Sequence, residues 1–206
     1  MMKAHTKITQ AAITPNKAIE LLKEGNQRFV ASNMANRNLL DQVNDTASGQ
    51  YPFATVLSCI DSRVSAELIF DQGVGDIFSA RVAGNIVNED LLGSIEFACK
   101  LAGTKVLVIL GHTACGAVKG ACDGAKLGNL TILLDKIMPA VNAVSQPSDA
   151  GQRNSKNIDF VNDVAVKNVQ MTIENTNHNL TSLRNQSPTS LPRKCDPFAV
   201  LRGTKM

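Results

Sequence analysis

The 206-residue chain lacks any apolar stretch approaching the roughly 18 to 20 residues that cross a bilayer, and its start, MMKAHTKITQAAITPNKA, lacks a hydrophobic signal core. A soluble, cytoplasmic protein without a membrane partner is the expectation. It also lacks a basic stripe: the formal charge of +3 is small and spread along the chain, with no aromatic-interleaved basic patch, so nucleic acid is excluded as a partner. No internal repeat is present. Short Cys-x-x-Cys pairs, the mark of a structural zinc knuckle, are absent as well. The five cysteines, Cys59, Cys99, Cys115, Cys122 and Cys195, are an odd number in a chain large enough to fold without staples, which predicts reduced thiols.

What is present is 44% hydrophobic residues, enough for a real core, arranged as strands alternating with helices. Thr14-Pro15 reads as a helix cap followed by proline at the first helical position, opening an amphipathic N-terminal helix to about Ser32. A polar stretch then leads to an apolar strand over Phe53 to Leu57. A second strand is predicted over Asp76 to Val82, a helix over Asn88 to Ala102, and the clearest strand, KVLVILGH, over Lys105 to His112. Helices follow at about 114–122, 129–145 and 157–184. This alternation predicts an α/β fold, a mostly parallel central sheet flanked by helices with an N-terminal helical arm.

In such sheets ligands gather beyond the carboxyl ends of the strands. Two strand ends here carry unusual chemistry: VLSCIDSRVS brings Cys59, Asp61 and Arg63, and GHTAC brings His112 and Cys115. Two thiolates and an imidazole suit a borderline-soft divalent ion such as zinc, and three protein ligands leave a fourth position open, as catalysis requires. Asp61 would then accept a hydrogen bond from a zinc-bound hydroxide, and Arg63 would keep that carboxylate ionised and off the metal through its planar fork. Taken singly, each residue has a plainer reading. Asp61 and Arg63 make a surface turn with an ion pair, His112 and Cys115 fit a core, and Cys59 or Cys115 with His112 would also suit a cysteine-nucleophile enzyme. Their joint placement at two strand ends favours the metal.

CIDSR at 59–63, RVAGN at 81–85 and GHTACGAV at 111–118, in that order and spacing, resemble the β-class carbonic anhydrases over roughly residues 14–188. The resemblance implies one zinc ion per chain on Cys59, His112 and Cys115, a catalytic pair of Asp61 and Arg63, and reversible hydration of carbon dioxide to bicarbonate and a proton. It further implies a homodimer or homotetramer and a substrate pocket. Gln50 would reach substrate across a dimer interface, Phe78 and Phe97 would line the pocket or pack in the core, Ala83 and Gly84 would leave room beside the metal, and the backbone near Gly116 would position an oxygen. The absence of tryptophan separates the chain from the family subgroup with a tryptophan-bounded bicarbonate site and points to the subgroup whose metal keeps a water in the fourth position. Related chemistry on carbonyl sulfide or carbon disulfide, and a noncatalytic zinc-binding scaffold, are the alternatives. The domain organisation expected is an arm over 1–35, an α/β zinc domain over 36–188 and a divergent tail over 189–206. There Pro192 and Pro197 interrupt the last edge strand that the family would supply, which leaves that strand doubtful, and Cys195 reads as an incidental thiol.

Overall fold

The computed structural model describes residues 3–186. The chain begins with two helices, α1 (Lys7–Ala12) and α2 (Pro15–Val30). Thr14 caps α2 by accepting a hydrogen bond from the Lys17 N–H at 3.2 Å, with Pro15 in the first turn as the sequence implies. Helix α3 (Leu39–Thr46), capped by Asn38, occupies the polar stretch read as a connection. Strand β1 (Ala54–Ser58) follows, then α4 (Ala66–Ile69), strand β2 (Ile77–Arg81), α5 (Glu89–Glu96), strand β3 (Val106–Leu110), α6 (Gly116–Cys122), α7 (Gly128–Asp135), α8 (Met138–Ala143) and α9 (Ile158–Gln186).

The described strands form a parallel sheet in the order β2-β1-β3. Their register is flush: Ala54 lies opposite Ile77 and Val106, and Ser58 opposite Arg81 and Leu110. All five residues of β1 and of β3 are buried, as unbroken aliphatic runs require of strands covered on both faces. One face packs Val56, Val106 and Val108 against Phe53, Phe70, Phe160 and Leu22; the other packs Leu57, Leu107 and Ile109 against Ile95 and Val169. Each large apolar side chain so buried contributes about 1.5–3 kcal/mol. Helix α2 buries Ala18 and Leu22 completely in the first of these clusters.

Three helical expectations change. The helix read over 129–145 is two, because Pro139 has no N–H and its ring would meet the carbonyl of Asp135, so it fits only in the first turn of a new helix. The helix read from 88 to 102 leaves α-geometry at Phe97–Leu101, where Ala102 N–H reaches Phe97 O, and it ends on Gly103 in the left-handed region. The helix expected from 114 starts at Gly116, since Ala114 has φ +53° and Cys115 is extended. The short helices α1, α3 and α4 were not read at all. Cys59, Cys115 and Cys122 are free thiols. The tail read over 189–206, with its doubtful strand and Cys195, lies outside the described residues. No described helix is long and apolar enough to cross a membrane.

A buried ion cluster ties the N-terminal segment to the sheet. Asp71 is fully buried, with φ +44°, at the end of the turn after α4. Its carboxylate accepts from Arg28 Nε on α2, from Arg37 Nη1 and from the Ala35 N–H at 3.0 Å, while Arg37 Nη2 donates to its carbonyl at 2.5 Å. Burial pushes the Asp71 carboxyl up, but the hydrogen bonds from Arg28, Ala35 and Arg37 outweigh it and hold the group below the usual range. A depressed folded-state pKa gives stability that is present above the ordinary carboxylate value and is lost as pH falls through the folded value. Asp71→Asn leaves two guanidinium groups facing an uncharged side chain and should lower the unfolding free energy by about 3–5 kcal/mol. Urea denaturation at neutral pH measures this loss. The gap between variant and parent should close as the pH is taken below that of an ordinary carboxylate.

Candidate metal centre

The flush register decides what meets at the carboxyl edge of the sheet. Cys59 follows the last residue of β1, and Gly111 and His112 follow the last residue of β3, so the two chemistry-bearing stretches emerge side by side. At Gly111 an added Cβ would lie 2.5 Å from Val169 Cγ2, so any larger residue there would have to displace the Val169 side chain of α9. The left-handed Ala114 then folds the chain back, and Cys115 becomes the residue from which α6 starts. The result is a buried cluster in which the ligand atoms of Cys59, His112 and Cys115 all lie within 4.8 Å of one another.

Three observations say that this cluster fits a cation. His112 Nδ1 lies 3.0 Å from Thr113 O, a geometry in which Nδ1 must carry the proton. In the neutral ring Nε2 is then the acceptor, and it is buried without a hydrogen-bond partner among the described residues. The sulfurs supply the second observation. Cys115 holds the Cys59 thiol beside it well below its usual range, while Cys115 is pushed up by the same partner and by burial. One proton shared between two buried sulfurs serves one negative charge, and a dication would allow both to ionise. Third, a tetrahedral ion with bonds of about 2.0–2.3 Å needs its ligands about 3.5–3.8 Å apart, which falls within the 4.8 Å that bounds their spacing here. Thiolate and imidazole donors with no carboxylate among them suit zinc.

Beside the cluster, Asp61 is clamped by its neighbour two residues on. Arg63 donates from Nε to Oδ1 at 2.9 Å, from Nη2 to Oδ2 at 2.8 Å and from its backbone N–H to Oδ1 at 3.0 Å. Hydrogen bonds from Arg63 hold the carboxyl far below the usual range against the pull of partial burial, so it is ionised at any physiological pH. Asp61 Oδ2 stands 3.9 Å from His112 Nε2. It is therefore next to the ligand set yet oriented by the guanidinium.

The remaining residues singled out in the sequence divide. Gly84 is buried at φ +70°, and its N–H points at Cys59 Sγ at 3.3 Å. Its φ favours glycine, and an added Cβ would also lie 2.6 Å from Ile137 Cδ1, which would have to move. Ala83 is half-buried in the same turn, and Gly116 is the exposed first residue of α6. Gln50 is exposed. Phe78 and Phe97 approach with ring centroids 6.3 Å apart in a cavity of about 720 Å³ lined also by Thr55, Leu91 and Ile95, and none of the three cluster residues lines it.

Sequence reasoning missed Arg81, which donates to Cys59 O at 2.9 Å and Asp61 O at 2.7 Å and so braces the loop that carries both. Its place in the RVAGN stretch at the end of a strand was the available signal. It also missed Asn162, whose Oδ1 accepts from the Ala114 N–H at 2.9 Å, and Asn168, whose Nδ2 donates to Gly84 O at 2.8 Å. Asparagine is a poor helix former, and its presence on the buried stripe of a long helix was the clue.

Comparison with known proteins agrees with this geometry. The family model described as carbonic anhydrase matches residues 54–189, well over half of the chain. The chain is a member of the β-class carbonic anhydrase family. It is 44% identical over 117 residues to carbonic anhydrase 2 of Mycobacterium tuberculosis, a match covering 56% of this chain and 56% of that protein. The chain thus spans little more than half the length of that relative. Its fold resembles a Coccomyxa β-carbonic anhydrase solved with acetazolamide, at TM-score 0.58 and 22% identity over 75% of this chain and 69% of that one. It also resembles one of two tetrameric β-carbonic anhydrases from Sordaria macrospora, at TM-score 0.56 and 24% identity over 82% and 88%. Zinc is the cofactor of this family, and the donor set described above fits it.

Cys59→Ser and His112→Ala should each reduce bound zinc from about one ion per chain to a small fraction of that after dialysis, read by elemental analysis. Arg63→Ala, which removes no donor atom from the cluster, should leave zinc content close to the parent's.

Proposed function

We propose that this β-class carbonic anhydrase family member catalyses the reversible hydration of carbon dioxide to bicarbonate and a proton, with Cys59, His112 and Cys115 holding one zinc ion and Asp61 and Arg63 as the catalytic pair. Zinc, when bound, lowers the pKa of a water molecule and so supplies a nucleophile at neutral pH. The observation that carries the reading is the clamp on Asp61: a carboxylate ionised and aimed by three hydrogen bonds from Arg63, with one oxygen 3.9 Å from the imidazole nitrogen left free for the metal.

That placement gives Asp61 a single task. Its charge is committed to Arg63, so it is held off the ligand set, and its remaining lone pairs would be available to accept a hydrogen bond from a reacting group near His112. Arg81 fixes the backbone of residues 59 and 61 together, so the position of the ligand sulfur and that of the carboxylate cannot drift independently. The Gly84 N–H is spent on the Cys59 sulfur, and that turn contributes shape and charge balance to the site.

Phe97 is 53% exposed, and the cavity that it shares with Phe78 is separate from the ligand cluster of its own chain. This supports a reading in which Gln50, Phe78 and Phe97 complete the substrate pocket of a second copy, within a homodimer or a homotetramer.

Asp61→Asn should keep zinc and lose hydration by about a hundredfold or more, since an amide can no longer present two acceptor oxygens to the guanidinium and to the reacting group. Stopped-flow hydration with a pH indicator, alongside elemental analysis of the same sample, measures both. Full turnover in that variant would remove Asp61 and Arg63 from the chemistry, and full zinc with no hydration in the parent chain would leave a binding protein.

A further inference from the structure

We infer that Asn162 and Asn168, both on α9, are positioning residues that hold the two loops of the metal centre in ligating shape. The inference rests on the reading that Cys59, His112 and Cys115 bind zinc. Each asparagine reaches one left-handed residue across a long sequence separation. Asn168 is buried, and its Nδ2 donates to Gly84 O at 2.8 Å; the same glycine's N–H points at Cys59 Sγ at 3.3 Å. One peptide unit on either side of Gly84 thus links α9 to the first sulfur. Asn162 Oδ1 accepts from the Ala114 N–H at 2.9 Å, and Ala114, at φ +53°, is the residue that folds the chain between His112 and Cys115.

Physical chemistry makes the two contacts directional. A non-glycine residue in the left-handed region carries a cost that some surrounding contact must offset, and for Ala114 the Asn162 carbonyl is such a contact. Gly84 meets no steric cost at positive φ, but the same freedom lets the peptide planes on its two sides turn relative to each other unless the one that carries its carbonyl is anchored. A change in φ and ψ at Gly84 would tilt the preceding peptide and turn the Gly84 N–H away from Cys59. Hydrogen bonds to ligand atoms orient them and tune their charge, and losing such a partner typically costs 10–100-fold in metal affinity. The contacts also differ in kind: Asn168 must donate, whereas Asn162 must accept.

The test uses the full chain. Asn168→Leu keeps the size of the side chain without its donor, Asn162→Leu removes the acceptor, and Asn162→Asp keeps an acceptor at the half-buried position. Zinc affinity is measured by competition with a chromophoric chelator, and the cobalt(II)-loaded proteins are compared by their thiolate-to-cobalt absorption. We expect Asn168→Leu and Asn162→Leu each to weaken zinc about 10- to 100-fold, Asn162→Asp to restore affinity close to the parent's, and Asn168→Leu to shift the thiolate band. Parent-like affinity and an unchanged cobalt spectrum in Asn168→Leu, whatever its melting temperature, would overturn the assignment. If Asn168→Leu does not fold by far-UV circular dichroism, the Asn162 pair decides, and equal affinities for its leucine and aspartate variants would overturn it. Cys59→Ser serves as the control: parent-like zinc affinity there would reject the metal site itself, whereas lost affinity there with none lost in the asparagine variants rejects only this inference.

Discussion

The flush parallel register of the three described strands is the constraint on which the rest depends. Side chains alternate along a strand, so a slip of one residue between β1 and β3 would exchange the two core faces and also shift Cys59 by about 3.3 Å along the sheet relative to His112. The same register that pairs Ser58 with Leu110 and with Arg81 therefore fixes three things at one level: a sulfur, an imidazole-bearing turn, and the arginine that braces both Cys59 and Asp61. The core is what forbids the slip. Val56, Val106 and Val108 fill one face and Leu57, Leu107 and Ile109 the other, so each alternative pairing would mismatch side chains of different shape against the groups packed on each face.

Beyond the strand ends the chain must turn sharply while keeping its donor atoms convergent, and it does so with residues in the left-handed region. Gly84, Asn85 and Ala114 all have positive φ within the two loops around the cluster. Such positions carry a conformational cost that surrounding contacts must offset, and the contacts come from remote elements, chiefly α9. The site is in this sense built by the long C-terminal helix as much as by the loops that bear the ligands.

How much of this was legible follows from the range of the interactions involved. The aliphatic runs over Val56 and over Val106 to Leu110 announce buried parallel strands, because only such strands are apolar on both faces, and the ligand types at their ends announce a metal. The sheet, the ligand trio and the Asp61 and Arg63 pair were readable for that reason. Helix α3 was not, because its polar surface resembles a connection and it is fixed by one Asn38 cap and a buried Gln42. Pro139 was a readable break passed over in favour of helical periodicity. Asn162 and Asn168 were unreadable as partners of Ala114 and Gly84, since 48 and 84 residues separate the pairs and only the folded chain brings them together.

The charge balance of the cluster closes the physical account. Two buried sulfurs and one imidazole nitrogen without a hydrogen-bond partner form a group that gains little from folding on its own, since burial opposes the charge on each sulfur. A bound dication would release that penalty by taking the place of the protons, so metal affinity and the stability of the folded site are thermodynamically linked. Asp71 and its two arginines solve the opposite problem elsewhere, burying a carboxylate whose compensating charges are both protein-borne. The contrast explains why the arginine cluster locks structure while the sulfur cluster stays open to a ligand: the first is complete within the chain, and the second becomes complete only with an ion.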